Sequence, residues 1–213
     1  YFVLDTGGWL TGRQVLLPPH VVADSDWKNK RFEVELTKEQ IEKSPPISAD
    51  RPVSRQYETE LHTYFRWQPY WAQQAPGGPM PSYIPSHGID PKEKERQIDN
   101  PKNDPNLRSA KEIKGYKIQA SDGSIGKAGD FIFDDENWVI RYLIVSTGGL
   151  LKEREVLIAA DWIEDISWDD GKIYVHVDKD QVENSPEWNP DAMLERNYEE
   201  LIYKYYGKPG YWK

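Results

Sequence analysis

The chain has 213 residues, 16 prolines, no cysteine and a formal charge of −9. That length suits one large domain or two small ones, and the acidic balance argues against non-specific attraction to nucleic acid or an anionic membrane surface. The missing cysteines exclude disulfides, thiolate metal sites and a thiol nucleophile; with no signal-peptide pattern and no apolar run near the roughly 20 residues of a membrane helix, a cytoplasmic protein with a basic partner is expected.

The first eight residues, Tyr1-Phe2-Val3-Leu4-Asp5-Thr6-Gly7-Gly8, match Tyr142-Leu143-Ile144-Val145-Ser146-Thr147-Gly148-Gly149. The offset of 141 then holds without a gap to Tyr70-Trp71 against Tyr211-Trp212. Along it Arg13 meets Arg154, Val15-Leu16 meets Val156-Leu157, Asp24 meets Asp165, Trp27 meets Trp168, Gln40 meets Gln181, and Tyr57 meets Tyr198. Self-similarity at so long a period means two copies of one folding unit.

Within the first copy, Phe32, Val34 and Leu36 alternate with Arg31, Glu33 and Glu35, the pattern of a strand with one core face and one wet face. Val53, Tyr57, Leu61 and Tyr64 then fall at helical spacing. Residues 72–106 follow, dense in proline, and read as a linker in which Met80, Tyr83 and Ile84 supply a candidate anchor.

The second copy, 107–213, opens on short apolar runs punctuated by turn residues: Phe131-Ile132-Phe133, then Asp134-Asp135-Glu136-Asn137, then Trp138 to Val145. Such runs, rich in β-branched and aromatic residues, predict an antiparallel meander. Trp138 to Val145 is apolar on nearly both faces, so a cover is required on its outer side. The helix expected over Asp191 to Tyr206, with Leu194, Tyr198, Leu201 and Tyr205 as its stripe and Gly207 as its stop, supplies one. Ile173, Val175 and Val177 repeat the half-buried strand of the first copy. Nothing in the chain matches Leu107 to Arg141 at the 141 offset, so the first copy, 1–71, lacks a front half. Residues preceding Tyr1, or strands exchanged from another chain, are the two expected remedies.

The pattern G-x-I-G-K-x-x-D-F-x-F-D-D-x-x-W-x-I-R-Y-L-x-V-x-T-G-G from Gly123 to Gly149, followed by Val156-Leu157-Ile158, closely resembles the PRC-barrel family. The resemblance covers Leu107 to Asp178 and, through the duplication, Tyr1 to Thr37. It implies a small, strongly bent antiparallel β-barrel used for protein association, found in bacterial proteins that include the photosynthetic reaction-centre H subunit and a ribosome maturation factor. It implies no catalytic residues. The expected fold is therefore mainly β: two small antiparallel PRC-like β-barrels, each followed by a C-terminal α-helix, in an approximate two-fold repeat.

Each candidate site has a plainer reading beside it. Asp134-Asp135-Glu136-Asn137 clusters carboxylates as a hard cation prefers, yet the spacing is wrong for a calcium loop and the residues suit a hairpin turn. Thr6-Gly7-Gly8 and Thr147-Gly148-Gly149 are anion-nest candidates, but a turn needing positive φ explains the glycines. His20, His62, His87 and His176 share no ligand spacing. Arg13 and Arg154 are expected to pair with Asp24 and Asp165. No serine or lysine sits in a nucleophile motif, so no enzyme activity, cofactor or metal is expected.

The aromatics are the remaining signal. Nine tryptophans and thirteen tyrosines are present, and Trp67, Tyr70, Trp71, Tyr211 and Trp212 gather at the two unit ends. These five are the candidate partner surface, with stapling of each helix to its own barrel as the alternative. The expected function is a non-catalytic, soluble adaptor that binds another protein, with self-association as a further arrangement. A photosynthetic accessory role, in which Asp134, Asp135 and Glu136 tune proton delivery, and ribosome assembly are the alternatives from other classes.

Overall fold

Alternating apolar residues and Asp/Gly turns make strands, and the computed structural model describes their arrangement for residues 1–7, 12–47, 53–71, 105–148 and 154–212. Strand predominates over helix. The chain divides into two units, Tyr1–Ser109 and Ala110–Lys213. No described helix is long and apolar enough to cross a membrane. His87, Met80, Tyr83, Ile84 and the glycines at 8 and 149 lie outside the described residues.

In the first unit, β1 (Phe2–Asp5) pairs antiparallel with β2 (Gln14–Leu17), and β3 (Val22–Asp26) with β4 (Arg31–Val34). Helix α1 (Lys38–Glu42) starts at a capping box: Thr37 Oγ1 accepts from Gln40 N, and Gln40 Oε1 accepts from Thr37 N. Strand β5 (Val53–Ser54) leads into α2 (Arg55–Phe65), whose first turn is closed by Ser54 Oγ accepting from Tyr57 N. Strand β6 (Pro105–Leu107) pairs with β5, so the end of the proline-rich stretch is strand of the first unit rather than linker. Among the described residues Leu16, Tyr57 and Leu61 form a core cluster lined by Tyr1, Ile47, Val53, Phe65 and Trp67, and Val15, Leu17, Val21 and Ile41 are buried as well.

The second unit begins with α3 (Ala110–Ile113) and a long β-hairpin system. Strands β7 (Lys117–Ala120), β8 (Gly123–Asp134), β9 (Val139–Thr147), β10 (Arg154–Ala159), β11 (Ile163–Ser167) and β12 (Lys172–Val175) form one six-stranded sheet in the order β10-β9-β8-β7-β12-β11. All pairs are antiparallel except β7 with β12. Helices α4 (Lys179–Glu183) and α5 (Arg196–Tyr205) follow. Among the described residues, one core cluster of buried side chains runs from Ile118 through Tyr206.

Three expectations need correction. No closed barrel forms among the described residues, because the sheet edges are used otherwise. The free side of β10 is taken by the segment after α4, with Trp188 N donating to Glu155 O and a bridge between Val156 and Glu187. The other edge, β11, exposes Glu164 and Asp165, charges that discourage strand addition. The second helix starts at Arg196 rather than Asp191, and its buried face is Glu199, Ile202 and Tyr203, while Leu201 and Tyr205 point outward. Finally, Phe32 is 41% exposed, although the alternation assigned it to the core.

The 141-residue offset reappears in the contacts themselves. The β1–β2 pairs Phe2↔Leu17 and Val3↔Leu16 repeat as Leu143↔Ile158 and Ile144↔Leu157. The register break between Val22 and Asp24 repeats between Ile163 and Asp165. Tyr64 and Tyr205 each donate their hydroxyl to the first-turn glutamine carbonyl of the preceding short helix, Gln40 and Gln181.

Candidate functional site

The polar chemistry of each unit collects on the inner face of its long helix. On α5, Glu199 is buried, and a buried carboxylate is costly unless fully hydrogen-bonded and paired. Its partners arrive from three places. The Tyr142 hydroxyl of β9 donates to Oε1 at 2.7 Å, the Tyr211 hydroxyl donates to the same oxygen at 2.8 Å, and Arg196, one helical turn before it, holds Oε2 at 2.8 Å. Burial first, and the hydrogen bond to Glu199 second, push the Tyr142 hydroxyl far above the ordinary phenol range. It therefore stays a donor at any physiological pH.

The first unit repeats this arrangement around Glu58 on α2. Tyr1 and Tyr70 donate to its Oε1 at 3.1 and 3.0 Å, and Arg55 meets Oε2 at 3.2 Å. One position differs. Where the second unit has Tyr203, the first has His62, whose Nε2 lies 2.7 Å from the Tyr1 hydroxyl. His62 is buried. Burial lowers its pKa below the usual imidazole value, with Glu58 opposing and His20 adding to that effect.

All five aromatics of the candidate partner surface are engaged with their own unit. Trp67 stacks on Phe65 at 4.0 Å and meets the edges of His20 and His62 at 5.1 and 6.0 Å. Trp71 lies 4.1 Å from the Arg55 guanidinium and 5.0 Å from His62. In the second unit the Arg196 guanidinium sits over Trp212 at 4.4 Å and Arg141 over Tyr211 at 4.0 Å. Tyr203 meets Trp212 at 5.0 Å. Each Tyr-Trp end is thus a clasp across its helix, and Tyr70 is the member that stays most exposed.

The remaining candidates resolve into local structure. Asp134 Oδ1 accepts from the backbone amides of Glu136 and Asn137, while Oδ2 accepts from Asn137 Nδ2 and from Arg141 Nε and Nη2. Arg141, then Asn137, hold its carboxyl down at about 2. That is a hairpin turn with its lone pairs already used. The expected arginine–aspartate pairs are not formed. Arg13 instead forks onto the carbonyls of Glu42 and Ser44, and Arg154 onto those of Glu183 and Ser185, because a guanidinium fits the diverging carbonyls at the end of a short helix. Thr6 and Thr147 hydroxyls close the same loop by donating to Arg13 O and Arg154 O. His176 is exposed, 3.8 Å from Glu164. Among the described residues no three His, Asp or Glu converge as a metal site.

The buried glutamates escaped the pattern reading because a carboxylate on an apolar stripe counts as a break in it. Their signal was present all the same: Arg55 and Glu58 recur unchanged as Arg196 and Glu199.

Residues 105–182 match the PRC-barrel domain. No curated protein matches the chain. Among solved structures, a putative 16S ribosomal RNA processing protein RimM from Pseudomonas aeruginosa is similar at 18% identity with a TM-score of 0.27, over 33% of this chain and 44% of that one. The chain thus spans less than half the length of that protein. With its specific glycine-rich meander and the sheet it builds, this chain carries a PRC-barrel domain at residues 105–182.

Proposed function

We propose that the chain is a tandem of two PRC-type units that acts as a non-catalytic adaptor, binding another protein. The supporting observation is the clasp repeated in both units: Tyr1, Tyr70 and Arg55 on Glu58, and Tyr142, Tyr211 and Arg196 on Glu199. Groups that an enzyme would use as acid, base or anion holder are here occupied with each other, and the same contacts occur twice. Repetition of this kind preserves shape, and shape presented twice suits association. The second reading, an accessory role in electron transfer in which Asp134, Asp135 and Glu136 tune proton delivery, loses Asp134 as a carrier, because Arg141 holds that carboxyl ionised.

Cross-linking of the protein in its native cell extract, read by mass spectrometry, tests the adaptor reading. A single protein cross-linked at constant stoichiometry is the expected result. Absence of any such protein, together with turnover of a metabolite by the purified chain, overturns it.

A further inference from the structure

The outer side of α5 differs from its counterpart in the first unit. Past Arg196, which is drawn onto Glu199, the exposed residues of α5 are Asn197, Glu200, Leu201, Lys204 and Tyr205, spaced to lie on one side of the helix and opposite the buried Glu199, Ile202 and Tyr203. Leu201, in the middle of that side, is 51% exposed. At the 141-residue offset Glu200, Leu201 and Lys204 stand where α2 has Thr59, Glu60 and Thr63. The fold therefore requires neither a leucine nor this charge pattern there.

Beside this face runs a shallow groove of about 390 Å³, lined by Glu200, Tyr203, Lys204, Lys208, Gly210 and Trp212. Trp212 forms its wall because Gly210 has no side chain: a Cβ there would lie 2.4 Å from the indole. At the other end, just ahead of the helix, Met193 is 89% exposed, and an unbranched thioether adapts to an irregular gap. The charges divide along the same direction. Glu195 and Glu200 occupy the N-terminal part and Lys204 and Lys208 the C-terminal part, all four exposed and without an ion pair among the described residues.

We infer that this face of α5 is a homodimer contact, and that its occupant is the same face of a second copy of this chain. A surface acidic at one end, basic at the other and apolar between them complements itself when inverted. A two-fold axis level with Ile202 sets Glu200 of each copy against Lys204 of the other and brings the two Leu201 side chains together. The same operation carries Met193 of each copy towards the groove of the other at Gly210 and Trp212. The contact is small, of the class below about 1,200 Å² that serves transient association, so it forms at high protein concentration. It does not rest on the adaptor role.

Analytical ultracentrifugation of the 213-residue chain over a concentration series tests the contact. A reversible monomer–dimer equilibrium is the expected result. Leu201→Glu, which matches the residue type of the first unit, weakens it by about tenfold or more, while circular dichroism shows the fold retained. Glu200→Lys and Lys204→Glu each weaken it alone, and an equimolar mixture of the two variants restores it, because opposite charges then meet across the axis. Since the chain has no cysteine, Leu201→Cys supplies a second readout: oxidation links two copies through that position. A chain that sediments as a monomer and whose Leu201→Cys variant stays unlinked overturns the contact, as does a dimer that Leu201→Glu leaves unchanged or a mixture that regains nothing. A monomeric chain in which Leu201→Glu instead abolishes a cross-link to another protein overturns the second copy as the occupant. Failure of the dimer contact leaves the adaptor reading standing, because that reading is tested by cross-linking to a different protein.

Discussion

Tyr142 donates its hydroxyl to Glu199 Oε1 at 2.7 Å across 57 residues of chain, and this bond ties the sheet to the helix that covers it. The same pair recurs as Tyr1 and Glu58, also 57 residues apart. Removing the acceptor leaves a buried phenol and a neighbouring guanidinium unpaired. Glu199→Ala is therefore expected to destabilise the second unit by about 1–3 kcal/mol, and Tyr142→Phe by about 1 kcal/mol. Glu199→Gln, which keeps an acceptor oxygen for both tyrosines but turns an amide towards Arg196, falls between. Urea midpoints measured by circular dichroism check the order, and a Glu199→Ala midpoint equal to wild type refutes the clasp as a stabilising element.

His62 makes the first unit sensitive to acid. Its pKa is lowered in the folded state, chiefly by burial, so the unfolded chain takes up the proton first. The stabilisation is complete above the ordinary imidazole value and is lost as pH falls below it towards the lowered folded value. Amide exchange of α2 is expected to accelerate through that window. His62→Tyr, which installs the residue found at the matching position of the second unit, removes this dependence. A pH-independent wild-type α2 would contradict the assignment.

Gly126 is where β8 presses closest on β9. A Cβ there meets Ser146 O at 2.1 Å and the Thr147 Cα at 3.1 Å, both backbone, which cannot rotate away. Gly126→Ala is expected to cost about 1–3 kcal/mol, with the exchange of β8 and β9 amides rising together. Gly148→Ala, where nothing among the described residues lies within 4 Å of the added carbon, serves as the control.

Asp134 organises its turn through Arg141 and Asn137 rather than through an ion. Calcium added at millimolar concentration is expected to leave Tm unchanged. Asp134→Asn is expected to cost no more than about 1 kcal/mol, because the ion pair is near the surface. Its carboxyl titrates at about 2, so its contribution holds above the normal aspartate value and disappears as pH falls through about 2. A calcium-dependent rise in Tm that Asp134→Asn abolishes would reinstate the cation reading.

The recurrence at a constant offset could be read from residues alone because side-chain identity needs no geometry: Arg13 recurs as Arg154 and Tyr57 as Tyr198. The hairpin turn at Asp134 and the meander around it were equally legible, since turn chemistry and period-two alternation are local. Of the expected helix face, Leu194 and Tyr198 pack against the core while Leu201 and Tyr205 are exposed. Leu194, Tyr198, Leu201 and Tyr205 form a respectable stripe, but the tertiary fold turned the helix to bring Glu199 onto the Tyr142 hydroxyl.

Local pattern, then, determined where most strands and turns occur and which residues recur at a constant offset. Only the tertiary structure decided what each unit hides. Phe32 and Ile173 occupy the same step of the same alternation, yet Phe32 is exposed and Ile173 is buried in the cluster it shares with Ile118 and Ile125 of β7 and β8. The aromatic ends behave likewise: Tyr211 and Trp212 look like an external patch in one dimension. In three dimensions the Tyr211 hydroxyl serves a carboxylate that would otherwise be buried with fewer partners.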